Sequence, residues 1–331
     1  VTAAHGRAPL STLAADSLLL VAALIWGTTF IAQKLATLQM GPVLFNGLRY
    51  ALGALLVLPL AVRGWRSLKD AAARRSALVG GALAGVAMSV ASTTQQIGMH
   101  DTSASSAGFI TGLYVIFVPM LGLLVGQRVG WPVWSAAALA VVGMFFLSVF
   151  DPEGGPWRVR TGDLWVLACA VAWAFHVQVI GWAAPTANAF VISAVQFAVT
   201  GGVCLAGSVV LATLFGAEEW GAREAFHWAG VRAVLGPLAF AAVFSTGVAF
   251  TLQVVAQTSA PPAHAAIILS LESVASALAE AACLAFGWSE LGAPMTRWKL
   301  LGCALMFAGV LLCQRRPRTA APTAAAPTSP V

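Results

Sequence analysis

ALIWGTTFIAQKLA, residues 23–36, carries the two features from which the fold is read. A Trp-Gly pair interrupts an apolar run, and the run ends on Gln33 and Lys34. A soluble core helix rarely carries a lysine on such a stretch, and a helix facing only lipid should carry none. Extended both ways, the run covers residues 17–37, close to the ~20 residues that cross a bilayer.

The rest of the chain has the same character. Of its 331 residues 59% are hydrophobic and 9% charged, with a mean hydropathy of +0.85. A soluble domain is about 25% charged. Ten apolar spans are predicted: 17–37, 43–62, 77–98, 104–125, 132–149, 164–183, 189–215, 232–256, 262–286 and 298–314. Pro119 and Gly247 fall inside spans, which membrane helices tolerate. The net charge of +6 does not point to nucleic acid, because the basic residues sit in short loops beside the spans. The five cysteines lie in or at the ends of apolar blocks and form no C-x-x-C. They read as small hydrophobes, with no disulfide framework, no metal site and no cofactor. Arg7 before an apolar region reads as the start of a first transmembrane helix rather than a cleaved leader. The Ala/Pro/Thr-rich stretch from Pro317 to Val331 reads as a disordered tail.

Loop charges set an orientation. With the N-terminus on side one, that side holds Arg7, Arg63, Arg66, Lys69, Arg74, Arg75, Arg128, Arg315, Arg316 and Arg318. Side two holds Arg158, Arg160, Arg223, Arg232, Arg297 and Lys299, and most of the acids. The positive-inside rule then places both termini in the cytoplasm.

Trp26 is matched 147 residues later by Trp173, and the same offset carries Asn46 to Ser193, Arg49 to Gln196 and Tyr50 to Phe197. QQIGMHDTSAS (95–105) resembles QVVAQTSAP (253–261), and ALAVVG (138–143) resembles ALMFAG (304–309). Two halves of five spans each must enter the membrane in opposite senses. The expected fold is therefore an all-α integral membrane protein, with ten transmembrane helices in two inverted five-helix repeats. The repeats cover 17–149 and 164–314. They are flanked by a cytoplasmic segment (1–16), an extracytoplasmic linker (150–163) and a cytoplasmic tail (315–331). Secondary transporters reuse this architecture, with a central site between the halves.

WGTTFIAQK (26–34), FNGLRY (45–50), QQIGMHDTSASSAGFITGLYVIFVP (95–119) and LSLESV (269–274) resemble the EamA-type carriers of the drug/metabolite transporter superfamily. The resemblance covers residues 17–314 and implies cytoplasmic termini, a bacterial inner (plasma) membrane and a central cavity for small metabolites. Many such carriers export amino acids, and one subgroup of similar size and Trp-rich character exports aromatic ones. Two positions depart from the pattern. Gln127 stands where such carriers often have Glu, and Arg49 has Gln196 as its repeat partner, so the halves differ chemically.

Polar residues inside a membrane are costly and default to a functional reading. Arg49 offers a planar donor fork for a substrate carboxylate, against a structural role at loop acids or helix ends. Glu272, Glu280 and His264 are candidates for proton coupling, against hydrogen-bonded structural roles. Trp26, Tyr114 and Trp173 are candidate cavity walls. Thr29 and His176 are repeat partners, which would place the histidine at that cavity as it places Thr29, against the role of a satisfied interior histidine. Asn46, Thr94, Gln95, Gln96, Gln196 and Gln253 can hydrogen-bond a polar substrate or another helix equally well. Lys34 falls near the outer end of its span and reads as an anchor or gate that snorkels to the interface. The pairs Gly81/Gly85, Gly108/Gly112 and Gly122/Gly126 read as close helix contacts.

The reading that follows is a secondary exporter of small metabolites, amino acids above all, alternating access around a central cavity. Its partners are a small-molecule substrate, the lipid bilayer and protons, with no nucleic acid. A sugar-phosphate or nucleotide-sugar carrier would want more cations in the membrane than Lys34 and Arg49. An intramembrane enzyme is the other alternative, but neither H-E-x-x-H nor G-x-S-x-G occurs. No Walker A motif occurs either, so the chain is not expected to hydrolyse ATP.

Overall fold

The structure is a computed structural model that describes residues 10–150 and 159–314. The expectations for residues 1–9, for most of the linker and for the tail lie outside the described residues.

All ten predicted spans are present as helices long and apolar enough to cross a membrane. They are α1 (Thr12–Thr37), α2 (Pro42–Ser67), α3 (Ala71–Gly98), α4 (Ala104–Leu124), α5 (Trp131–Ser148), α6 (Thr161–Thr186), α7 (Ala189–Phe215), α8 (Leu235–Ala256), α9 (Pro262–Ala285) and α10 (Arg297–Gln314). Among the described residues there is no strand. The protein is an all-α, multi-pass membrane protein.

Side chains cap the starts of α1, α3 and α7, and of these α1 and α3 begin before their apolar cores. The Ser11 hydroxyl accepts from the Ala14 amide, the Asp70 carboxylate from Ala72, and the Asn188 carbonyl from Phe190 and Val191. Each satisfies donors that a helix start leaves open. As a result α1 starts five residues earlier than hydropathy suggests, and Asp16 falls inside it, buried.

The packing mirrors the order of the helices. α2 packs on α7, and α5 on α10, each against the helix in the same place in the other half. α3 packs on α6 and α8 on α1, an exchange of the same kind. Glycines permit this closeness. A Cβ on Gly81 would lie 2.7 Å from Val195 Cβ, and one on Gly143 would lie 2.7 Å from the Gly302 carbonyl. Outward-facing Leu55, Leu56, Val209, Val210 and Leu214 are at least half exposed. That would be a liability in water and is what lipid requires.

Three spans are irregular. In α4 the regular ladder gives way at Leu113, where Leu113 N donates to Ile110 O and Ile116 N to Leu113 O. In α9 it gives way at Ser270–Leu271, where Leu271 N donates to Ile268 O and Ser273 N to Ser270 O. α8 contains a π-helical stretch, Ala241–Phe250. Such departures from the α ladder gather at functional sites, and all three border the same cavity.

Candidate functional site

A central cavity with about 40 Å³ of open space lies between the halves. α1 contributes Trp26, Thr29, Phe30 and Gln33, and α2 contributes Arg49. α3 and α4 add Gln95, Thr111 and Tyr114. From the second half come Trp173, His176 and Val177 of α6, Ser245, Phe250 and Gln253 of α8, and Leu269 and Glu272 of α9.

Most of these residues fall into pairs at constant sequence offset. Trp26/Trp173, Thr29/His176 and Phe30/Val177 are each 147 residues apart. Gln95/Gln253, Thr111/Leu269 and Tyr114/Glu272 are each 158 apart. The second offset also relates the breaks, Leu113 to Leu271, so Tyr114 and Glu272 each open the half-helix that follows a break.

Phe250 anchors the apolar wall. Its ring centroid lies 4.5 Å from Trp26 and 5.5 Å from Trp173, which it stacks on at 24°. Tyr50, Phe197 and His176 also reach it, at 6.2, 6.2 and 5.9 Å. Trp26 Nε1–H donates to the Ser245 carbonyl in the π-helical stretch at 3.3 Å, which fixes the indole against α8. Gly27, next to Trp26, lets α1 touch α9. A Cβ there would lie 2.3 Å from Ala275 Cβ and 2.5 Å from the Glu272 carbonyl. The Trp-Gly pair thus supplies a wall and the close approach that brings Glu272 to it.

The two charges are placed differently from each other. Arg49 is 1% exposed. Its guanidinium lies 4.6 Å from the Tyr50 ring centroid and donates to the Tyr50 hydroxyl at 3.0 Å. Its Nε has no acceptor. Glu272 is 4% exposed, and its Oε1 has no donor. Glu272 and the Tyr114 phenol are close enough to interact electrostatically, yet neither Glu272 Oε1 nor Tyr114 Oη completes a hydrogen bond of ordinary geometry. Among the described residues the ion pairs are Arg223–Glu219 and His264–Asp16.

The other residues singled out from the sequence lie outside the cavity lining. Asn46 donates to the Ser92 carbonyl and Gln96 to that of Gln33. Thr94 returns its hydroxyl to Val90 and Ala91. Gln196 stands behind the wall, its Oε1 2.9 Å from His176 Nε2. Glu280 accepts from the Ser105 amide at 2.8 Å, at the start of α4. His264 meets Asp16 at 2.7 Å, and Gln314 donates to the same carboxylate, tying α1, α9 and α10 together. Lys34 lies at the end of α1, beside the α3–α4 connection. Its ammonium donates to the carbonyls of Met99 at 2.7 Å and Thr102 at 2.9 Å, where the end of α3 offers open acceptors.

Reading the sequence missed Phe250, Thr111 and Asp16. Phe250 carries no signal within its apolar run. Thr111 lies within the quoted 95–119 block, and the offset of the paired glutamines brings it opposite Leu269. Asp16 sat one residue before the predicted span. Glu224, counted only as a loop acid, accepts from the Val43 and Leu44 amides at 3.1 and 2.7 Å and so caps α2 from the α7–α8 connection. Burial pushes its carboxyl above the usual range, and the two amides pull it back.

The comparisons with known proteins agree with this architecture. Residues 13–149 and 160–314 each match the EamA-like transporter family. An uncharacterized transporter of Archaeoglobus fulgidus is 31% identical over 281 residues, covering 85% of this chain and 81% of the relative. A solved crystal structure, 19% identical, covers 92% of this chain and 97% of its own with a TM-score of 0.67, a likeness of fold.

Proposed function

The chain belongs to the EamA-like transporter family, and on that premise we propose that it exports amino acids with aromatic or other apolar side chains. It does so by alternating access around the central cavity, in a bacterial inner membrane with both termini cytoplasmic. Its two halves act as inverted repeats, which the exchange of helix partners supports. The observation that carries the substrate class is a buried arginine, without a carboxylate partner, beside an aromatic wall. Guanidinium and carboxylate form strong, directional pairs, and the rings of Trp26, Trp173 and Phe250 suit an apolar side chain.

Glu272 is the coupling candidate of choice, because Glu280 and His264 are committed to a helix start and to Asp16. Among the described residues Arg49 is the one Lys or Arg lining the cavity, which disfavours polyanions such as sugar phosphates. His176 bonds Gln196 rather than a nucleophile, which disfavours hydrolysis.

Purified protein in proteoliposomes, given a panel of labelled amino acids and an imposed pH gradient, tests this reading. Aromatic and branched aliphatic amino acids should move fastest, and faster with the gradient. Movement of none of them rejects the substrate class, and indifference to the gradient removes Glu272 as a proton carrier.

A further inference from the structure

We propose that the cavity is a two-ended site for a dipolar ion, in which Arg49 takes the carboxylate and Glu272 takes the ammonium of one molecule. This rests on the transport reading above and adds a specificity-determining role for Glu272.

Arg49 and Glu272 are opposite in charge when both are ionised, both are almost fully buried, and both line one cavity. They nevertheless form no ion pair with each other or with any other described residue. A buried charge without its counter-charge is costly, and completing the pair restores much of that cost. Each residue also keeps an unpartnered polar atom, Arg49 Nε and Glu272 Oε1. A ligand bearing both opposite charges completes both half-pairs. A monoacid leaves Glu272 open, and a monoamine leaves Arg49 open. Trp26, Trp173 and Phe250 then receive the side chain, while the Tyr50 ring and hydroxyl hold the guanidinium in place.

The location of the carboxylate fits the same role. Glu272 is the first residue after the break in α9, held against α1 at Gly27. A carboxylate fixed on backbone that is itself packed is positioned to recognise a donor of defined direction.

The test compares four molecules that share one side chain: L-phenylalanine, 3-phenylpropanoate, 2-phenylethylamine and N-acetyl-L-phenylalanine. Each competes with labelled L-phenylalanine in proteoliposomes. In the wild type the three single-ended analogues should compete at least ~10-fold more weakly, since a hydrogen bond to a charged group contributes at about that level. Glu272→Gln should abolish the preference for L-phenylalanine over 3-phenylpropanoate and keep the preference over 2-phenylethylamine. Arg49→Gln should do the reverse. Glu272→Asp should retain the wild-type order with weaker competition. The wild-type panel reads the proposal even if a variant does not fold. Transport of L-phenylalanine with equal competition from 3-phenylpropanoate or N-acetyl-L-phenylalanine overturns the two-ended site and leaves the exporter reading standing. Failure of every amino acid to move overturns both.

Discussion

The two halves of this molecule share a frame and divide its chemistry. By sequence offset Trp26 is matched by Trp173, Gln95 by Gln253 and the break at Leu113 by the break at Leu271. Yet the first half brings Arg49 where the second has Gln196, and the second brings Glu272 where the first has Tyr114. The aromatic walls and the helix breaks are therefore duplicated between the halves. The buried arginine and the cavity glutamate are not duplicated.

The caps follow the same logic. α7 begins on Asn188, which caps its own helix. Its counterpart 147 residues earlier is Gly41, which has no side chain to offer. Glu224 reaches across from the other half to do the work, and it fills the space a Gly41 Cβ would need, 2.4 Å from the carboxyl carbon. One half is capped locally, and the other depends on its partner.

Four experiments would break or sharpen this comparison. The largest effect is expected at the charged position. Arg49→Gln should reduce amino-acid transport at least ~10-fold, because a charged hydrogen bond of about 1.5–3 kcal/mol is lost. Moving the cation by adding Gln196→Arg should not restore it, since Gln196 lies behind the wall against His176. Recovery of transport in that double variant would show that the half bearing the charge is immaterial.

Next comes the helix contact. Gly27→Ala should lower the thermal midpoint in detergent by an amount equivalent to about 1–3 kcal/mol of overpacking. The matched change Ala174→Gly should cost about 0.5–1 kcal/mol through backbone freedom alone. Equal effects would deny α1 and α9 their special closeness.

The caps rank third. Asn188→Ala should cost about 1 kcal/mol of stability. Glu224→Ala should cost somewhat more, up to about 3 kcal/mol, because it leaves the Val43 and Leu44 amides without acceptors. Adding Gly41→Asn to the Glu224→Ala variant should recover part of the loss, now that the space is free.

The smallest effect is in pH. Glu224 binds its proton more tightly folded than unfolded, so its contribution to stability falls as pH rises above about 4.5. Glu224→Gln should flatten that part of the melting-temperature profile between pH 4.5 and neutrality. An unchanged slope would assign the pH dependence elsewhere.

How much of this was legible follows from what sets each feature. Hydropathy and loop charge are local, so all ten spans could be read from the chain. The offset of Trp26 and Trp173 pointed to two related halves because a repeated bulky residue is rare enough to notice. Of the nine predicted residues at the cavity, four pair at that offset and four at 158, while the repeat partner of Arg49, Gln196, lies outside the lining. What could not be read depends on partners distant in the chain. Nothing near Glu280 says that it will meet Ser105, and nothing near Lys34 foretells the carbonyls at the end of α3. The π-helical stretch that presents Phe250 has no composition of its own.

That stretch makes the cavity sensitive to insertion and deletion more than to substitution. A π turn accommodates a surplus residue in a helix, at the expense of poorer backbone bonding. Each residue removed rotates everything after it by about 100°. Loss of one residue between Ser245 and Phe250 would let α8 relax into a regular helix, and the ring that both tryptophans rest on would turn away. Such a chain would be better bonded and emptied of its site. The length of this helix, and not only its composition, therefore sets where Phe250 lies.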